Sequence, residues 1–292
     1  MRQIACGLFL LMSFCVVAQA QEDPKEVQQK DDPELKELQW NRYETGKLVV
    51  VSIDKDLGEK LSESVSEIKS DVLTRWGFPD VELGKECRIF CVPKLGLLTK
   101  LFNLSAPRMQ VRKELYAIWT VLDQDFQKSV APHLTSVMLL EYEAKEGIAL
   151  PIWFKRGAHR LASGPEDVRQ QLTDYHATAK REQFAYTAQK MFMYTEDEYN
   201  KQSAENKKAF DLQAICLCLM LRQELGEAKL QGFLRLQNRN KPESVLRAIY
   251  GYDGFTGSMR SFEEKYYDFI KDLTNEAADG RVPDSYLTIR SR

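Results

Sequence analysis

Eight consecutive residues, Ala214-Ile-Cys-Leu-Cys-Leu-Met-Leu221, carry no charged or hydrogen-bonding side chain other than two thiols. They lie inside a longer helical stretch, Lys207 to Leu225. A helix that is apolar on every side has no face to offer water, so it must sit at the centre of a body with other elements around it. Those elements are legible in the same half of the chain. Phe126 to Lys145 places Val130, Leu134, Val137, Met138 and Tyr142 near one helical face. Pro151 to Ala162 reads as a short helix with proline in its first turn. Asp167–Met193 is polar in its first half and then carries Phe184, Tyr186, Met191 and Phe192, and Ala228–Leu236, Pro242–Tyr250 and Ser258–Leu273 follow as further amphipathic helices. Residues 121–273 are therefore expected to be a helical subdomain, with 274–292 a loose tail.

The first half reads differently. Leu48-Val-Val-Val-Ser-Ile53 is β-branched and apolar, the mark of a buried strand. Leu57, Leu61, Val65, Ile68, Val72 and Leu73 then recur at helical spacing between Asp54 and Trp76, with Asp54 or Asp56 as the cap and Gly77 as the stop. A second strand is expected over Cys87 to Pro93, and a third, or the edge of one, over Arg108 to Glu114. Residues 43–120 thus form a small strand-helix-strand unit. The whole is an α+β fold, that unit packed on the larger helical region.

Residues 1–20 have the pattern of a secretory signal peptide: Arg2, then an apolar stretch from Ile4 to Val17, then Ala18-Gln-Ala20 with small residues where a signal peptidase cuts. The apolar stretch is short for a bilayer span, and no later stretch reaches the length of a transmembrane helix. The chain is expected to be exported, to the periplasm, the cell envelope or the outside, with residues 21–42 a flexible leader. Cys87, Cys91, Cys216 and Cys218 would remain after cleavage as candidate disulfide cysteines. Cys87 and Cys91 are separated by about 13 Å of regular strand and cannot pair with each other. Cross-pairing with Cys216 and Cys218 and four buried free thiols both fit the sequence.

Composition narrows the chemistry. Lys and Arg total 41 against 43 Asp and Glu in 292 residues, so the chain lacks the basic field that carries nucleic-acid binding, and no nucleic-acid partner is expected. It has no phosphate loop, no dinucleotide fingerprint and no Gly-x-Ser-x-Gly elbow. There are three histidines, His133, His159 and His176.

The most informative segment is His133-Leu-Thr-Ser-Val137 followed by Leu150-Pro-Ile-Trp-Phe-Lys-Arg-Gly-Ala158. A zinc peptidase needs two histidines one helical turn apart, a Glu beside the first to activate the metal-bound water, and a carboxylate from a following helix. The sequence resembles the gluzincin, or peptidase MA-like, zinc metallopeptidases in that frame. His133 falls on the first ligand, Leu134 on the general base, Val137 on the second ligand and Arg156 on the third. Pro151, Trp153, Gly157 and Ala158 match the residues around the last ligand, and eighteen residues, 138–155, lie between.

The resemblance implies a zincin-like fold over roughly residues 43–273 with its chemistry removed. Leu134 accepts no proton, Val137 has no lone pair, and Arg156 brings a fixed positive charge where the cation would sit. Two such charges about 4 Å apart repel by several kcal/mol at an effective dielectric near 20. The resemblance therefore points to a non-catalytic pseudo-peptidase that binds a protein or peptide through a metal-free cleft containing His133, Trp153, Arg156 and Gly157. No cofactor is expected, and Arg156 is expected to pair with Glu141 or Glu143. The alternatives are a zinc-dependent hydrolase rebuilt around the weak metal candidates His133 and His159, and a structural or assembly protein of the envelope.

Overall fold

Strand β1 (Asn41–Thr45) turns at Gly46-Lys47 into β2 (Leu48–Ser52), because glycine alone takes the positive φ of 60° there without strain. The computed structural model describes residues 38–122, 126–179, 186–237, 241–250 and 258–287. The expected signal peptide and most of the leader lie outside these residues. Asn41 and Arg42, assigned to the leader, belong to β1 instead, where they pair with Ser52 and Val51.

Helix α1 (Lys55–Thr74) follows β2, its first turn closed by the Asp54 carboxylate accepting from the Leu57 amide at 3.0 Å. It leads to β3 (Glu86–Val92), which lies parallel to β2. Helix α2 (Leu95–Phe102), β4 (Arg108–Val111) and β5 (Leu115–Val121) complete a mixed sheet in the order β1-β2-β3-β5-β4. The expected third strand is β4, an antiparallel edge. The longer interior strand is β5, and α2 fills the interval between the second and third expected strands. One sheet face, with Leu48, Val50, Cys87, Ile89, Tyr116 and Ile118, joins a single core with α1 and the helices that follow.

The helical region contains α3 (Phe126–Glu146), α4 (Ile152–Leu161), α5 (Pro165–Ala179), α6 (Ala188–Met193), α7 (Glu196–Asn200), α8 (Ala204–Gln237), α9 (Pro242–Tyr250), α10 (Met259–Ala278) and α11 (Asp284–Leu287). The chain is α+β, with a five-stranded mixed sheet followed by a larger, mainly helical region. Helix α8 is the expected centre: every residue from Phe210 to Leu221 is buried. It breaks at Gly226, whose φ of 68° and ψ of 172° are not helical, so the run continues as a second arm. The 274–292 tail is not loose through residue 287. α10 runs on to Ala278, Leu287 is fully buried, and Arg169 holds the segment through the Val282 carbonyl and Asp284.

Helices α4 and α8 cross at Gly157. A Cβ there would meet the Cys218 sulfur and come within 2.6 Å of the Ala214 carbonyl oxygen. The sulfur can swing aside but the backbone cannot, so the close crossing depends on glycine. Gly157→Ala is expected to lower unfolding stability by about 2 kcal/mol or more through overpacking. Chemical denaturation of the variant checks this, and adding Cys218→Ala should restore only part of the loss.

Candidate functional site

The residues singled out by the sequence do come from neighbouring helices, but they do not form the arrangement that the peptidase frame suggests. On α3, His133 is followed by Leu134 and Val137, both fully buried in the core. Across from them on α4 stands His159, not Arg156. The His133 and His159 rings meet edge to face with centroids 5.6 Å apart, and His159 Nδ1 shares a hydrogen bond of 2.9 Å with Ser136 Oγ, one helical position short of Val137.

Arg156 points away from α3, toward α7 and α8. Its Nε and Nη2 donate to the two carboxylate oxygens of Asp211 at 2.9 and 2.7 Å. Arg160, one turn further along α4, donates to Asp211 Oδ2 from Nε at 2.9 Å and from Nη2 at 2.7 Å. The Tyr199 hydroxyl of α7 donates to Asp211 Oδ1 at 3.0 Å, and the Arg156 guanidinium lies 4.8 Å from the centre of the Tyr199 ring. The expected partners of Arg156 are elsewhere. Glu143 accepts from the Leu150 amide at 2.6 Å and lies 3.5 Å from Lys155. Glu141 is buried on the sheet side, beside Gly84.

This cluster is built by spacing. Arg156 and Arg160 are four apart on α4 and so leave the helix on one side. Asp211 opens the apolar stretch of α8, with its side chain 2 % exposed against 27 % for Arg156 and 38 % for Arg160. Burial alone would raise the Asp211 pKa, but the two guanidiniums outweigh it and hold the carboxyl below its usual range. Asp211 is thus a carboxylate with five donors. The two arginines leave the group with a net positive charge.

That charge acts on His159 but not on His133. Burial pushes His133 down to about 4. It pushes His159 down to about 3, with Arg156, His133 and Arg160 adding to the effect and Asp211 opposing it. Both imidazoles are neutral at physiological pH.

The donor set does not fit the zinc ion of the peptidase frame. Leu134 and Val137 are hydrocarbon, Arg156 is cationic and engaged, and among the described residues no group of three or more His, Cys, Asp or Glu side chains is placed to hold a metal ion. Trp153 and Gly157 do not line a cleft. Trp153 is fully buried against Phe154, Phe192 and Phe233, with Nε1 donating to Gln237 Oε1 at 3.0 Å. Gly157 is the helix crossing itself. Cys87, Cys91, Cys216 and Cys218 are all free and buried, and burial raises each thiol pKa. A surface depression of ≈ 320 Å³ lies instead at α6 and α7, lined by Thr187, Gln189, Lys190, Met193, Tyr194 and Glu198. No helix among the described residues is long and apolar enough to cross a membrane. Neither a family model nor a curated protein matches the sequence.

Two outcomes follow from the cluster. Asp211→Asn leaves two guanidiniums without their counter-charge, and urea unfolding should show a loss of about 3 kcal/mol, toward the low end for a broken buried pair because both arginines still reach water. Acid should also destabilise the fold. The unfolded histidines titrate near 6.5, above both folded values. The unfolded chain therefore takes up protons that the folded chain refuses as pH drops below 6.5. Each histidine removes about 1.4 kcal/mol per pH unit until its folded pKa is reached. Unfolding curves between pH 7 and 4 on wild type and on His133→Gln/His159→Gln check this, with a shallower slope expected for the double variant.

Proposed function

We propose that the chain is an exported, zincin-like pseudo-peptidase: a non-catalytic protein that binds a protein or peptide partner. The observation that carries this reading is the closure of the α3–α4 region by neutral side chains and a satisfied ion cluster. In a zinc peptidase that region must keep a metal, an activated water and a carboxylate facing a substrate channel. Here a histidine ring contact and a serine hydroxyl take up the gap between the helices, and the cationic residue at the third-ligand position is committed to Asp211. Leu134, which falls where the frame places the general base, is buried hydrocarbon.

The order of elements supports the same reading: a mixed sheet, then two adjacent helices carrying the His133 and Arg156 segments, then a helical region. The N-terminal segment supports export by its charge and apolar pattern alone. Binding is assigned to the depression at α6 and α7. Met193 is 63 % exposed there, beside Lys190 and Glu198 at the rim of the depression. Such a surface, with Met193 and Tyr194 beside charges of both signs, suits a short peptide segment.

The second reading, a hydrolase rebuilt on His133 and His159, rests on the proximity of their rings and is separated by one experiment. Purified chain is dialysed against zinc, its metal content measured, and its action on an unstructured protein substrate followed. Well under one zinc per chain and no hydrolysis are expected. About one zinc per chain, with hydrolysis abolished by His133→Ala, would establish the enzyme instead.

A further inference from the structure

Among the described residues strand β1 is one edge of the sheet, and the pairing of its neighbours determines what that edge offers. The Cys87 amide donates to the Lys47 carbonyl at 2.8 Å. The odd-numbered residues of β2 therefore turn their peptide groups toward β3, and Leu48, Val50 and Ser52 turn theirs toward β1. Their partners are Thr45, Tyr43 and Asn41. The peptide groups left facing outward are those of Arg42 and Glu44, which form a surface ion pair of 2.6 Å with side chains 47 % and 59 % exposed.

An outward edge can join a second copy of itself by antiparallel pairing about a two-fold axis, provided that outward-facing residues oppose outward-facing residues. Centred on Arg42 or on Glu44, this pairing sets like charges against each other. Centred on Tyr43, it sets Arg42 opposite Glu44 of the second copy, and Glu44 opposite its Arg42. Each such pair exchanges two backbone hydrogen bonds, which makes about four in all. The same register overlaps the whole strand, Asn41 opposite Thr45. It carries Trp40, 41 % exposed, over Gly46 of the second copy, where a Cβ would meet no atom within 4 Å. Natural edges are usually protected by proline, bulges or charge that repels its own kind. The order Arg-Tyr-Glu does the reverse, because it is its own complement.

We propose that β1 is a self-association edge through which two copies of the chain join their five-stranded sheets into one, in the Tyr43-centred register. The strand is short, so the dimer is weak and concentration-dependent. Sedimentation velocity on the full chain, from about 1 to about 300 µM, should show a reversible shift from monomer to dimer. Arg42→Glu and Glu44→Arg, each placing like charges across the axis twice, should each weaken association by at least about tenfold. The double swap Arg42→Glu/Glu44→Arg should restore it. Mixing the two single variants should give a heterodimer, since every opposed pair is then of opposite sign. All substitutions fall on exposed side chains whose peptide groups do not join β2, so unchanged thermal melting is expected for each. A wild-type chain that stays monomeric throughout, a dimer indifferent to both reversals, or single variants that fail to pair when mixed would each overturn the proposal.

Discussion

A carboxylate buried to 2 % exposure cannot remain ionised without donors, and Asp211 has five. Its partners arrive from two other elements: Arg156 and Arg160 from α4, and Tyr199 from α7. The position of α4 on the central helix α8 is thereby set by directional charge-assisted bonds at one point and by the glycine crossing at another. Between them, Gly157 brings the helices close and Asp211 fixes their rotation. With α4 so oriented, His159 is the residue that faces α3, and the histidine contact follows.

On the reading proposed above, the residues that fall on the peptidase frame divide into two groups with separate structural partners. On the α3 side, neutral imidazoles and a serine hydroxyl occupy the space between helices. On the α8 side, Arg156 is engaged by Asp211 through two bonds. The charges that remain belong to arginines about a third exposed, so this part of the molecule presents positive charge without an acid–base pair. A binding role makes fewer demands on such a surface than a catalytic one, since it needs shape and complementary charge but no tuned proton acceptor.

Much of the architecture was legible in the chain. The run of β-branched residues in β2, the three-and-four spacing in α1 and the wholly apolar centre of α8 each have one low-energy solution. Helix α2 was not legible, because Gly96 and a lone lysine disturb a short pattern. β5 was overlooked beside the edge strand β4, since an almost continuous apolar run has no alternation to count. That the His133 and Arg156 segments form two helices was legible, but the pairing of their side chains was not. Arg156 looked toward Glu141 and Glu143, which are near in sequence, whereas its partner lies 55 positions away. A signal was present: Asp211, alone at the head of an apolar core helix, requires a cationic partner, and Arg156 with Arg160 supplies two on one helical face. Trp153 and Gly157 matched the frame for a different reason, as packing residues that any such helix pair would need.

The direct test of the central interaction is a double-mutant cycle on unfolding free energy with Arg156→Met, Asp211→Leu and the pair together. A buried carboxylate and a part-buried guanidinium joined by two bonds should show a coupling of about 2 kcal/mol or more, the double variant being more stable than the sum of the single losses allows. A coupling within about 0.5 kcal/mol of zero would mean that the two residues act independently, and that Asp211 does not hold α4 in place.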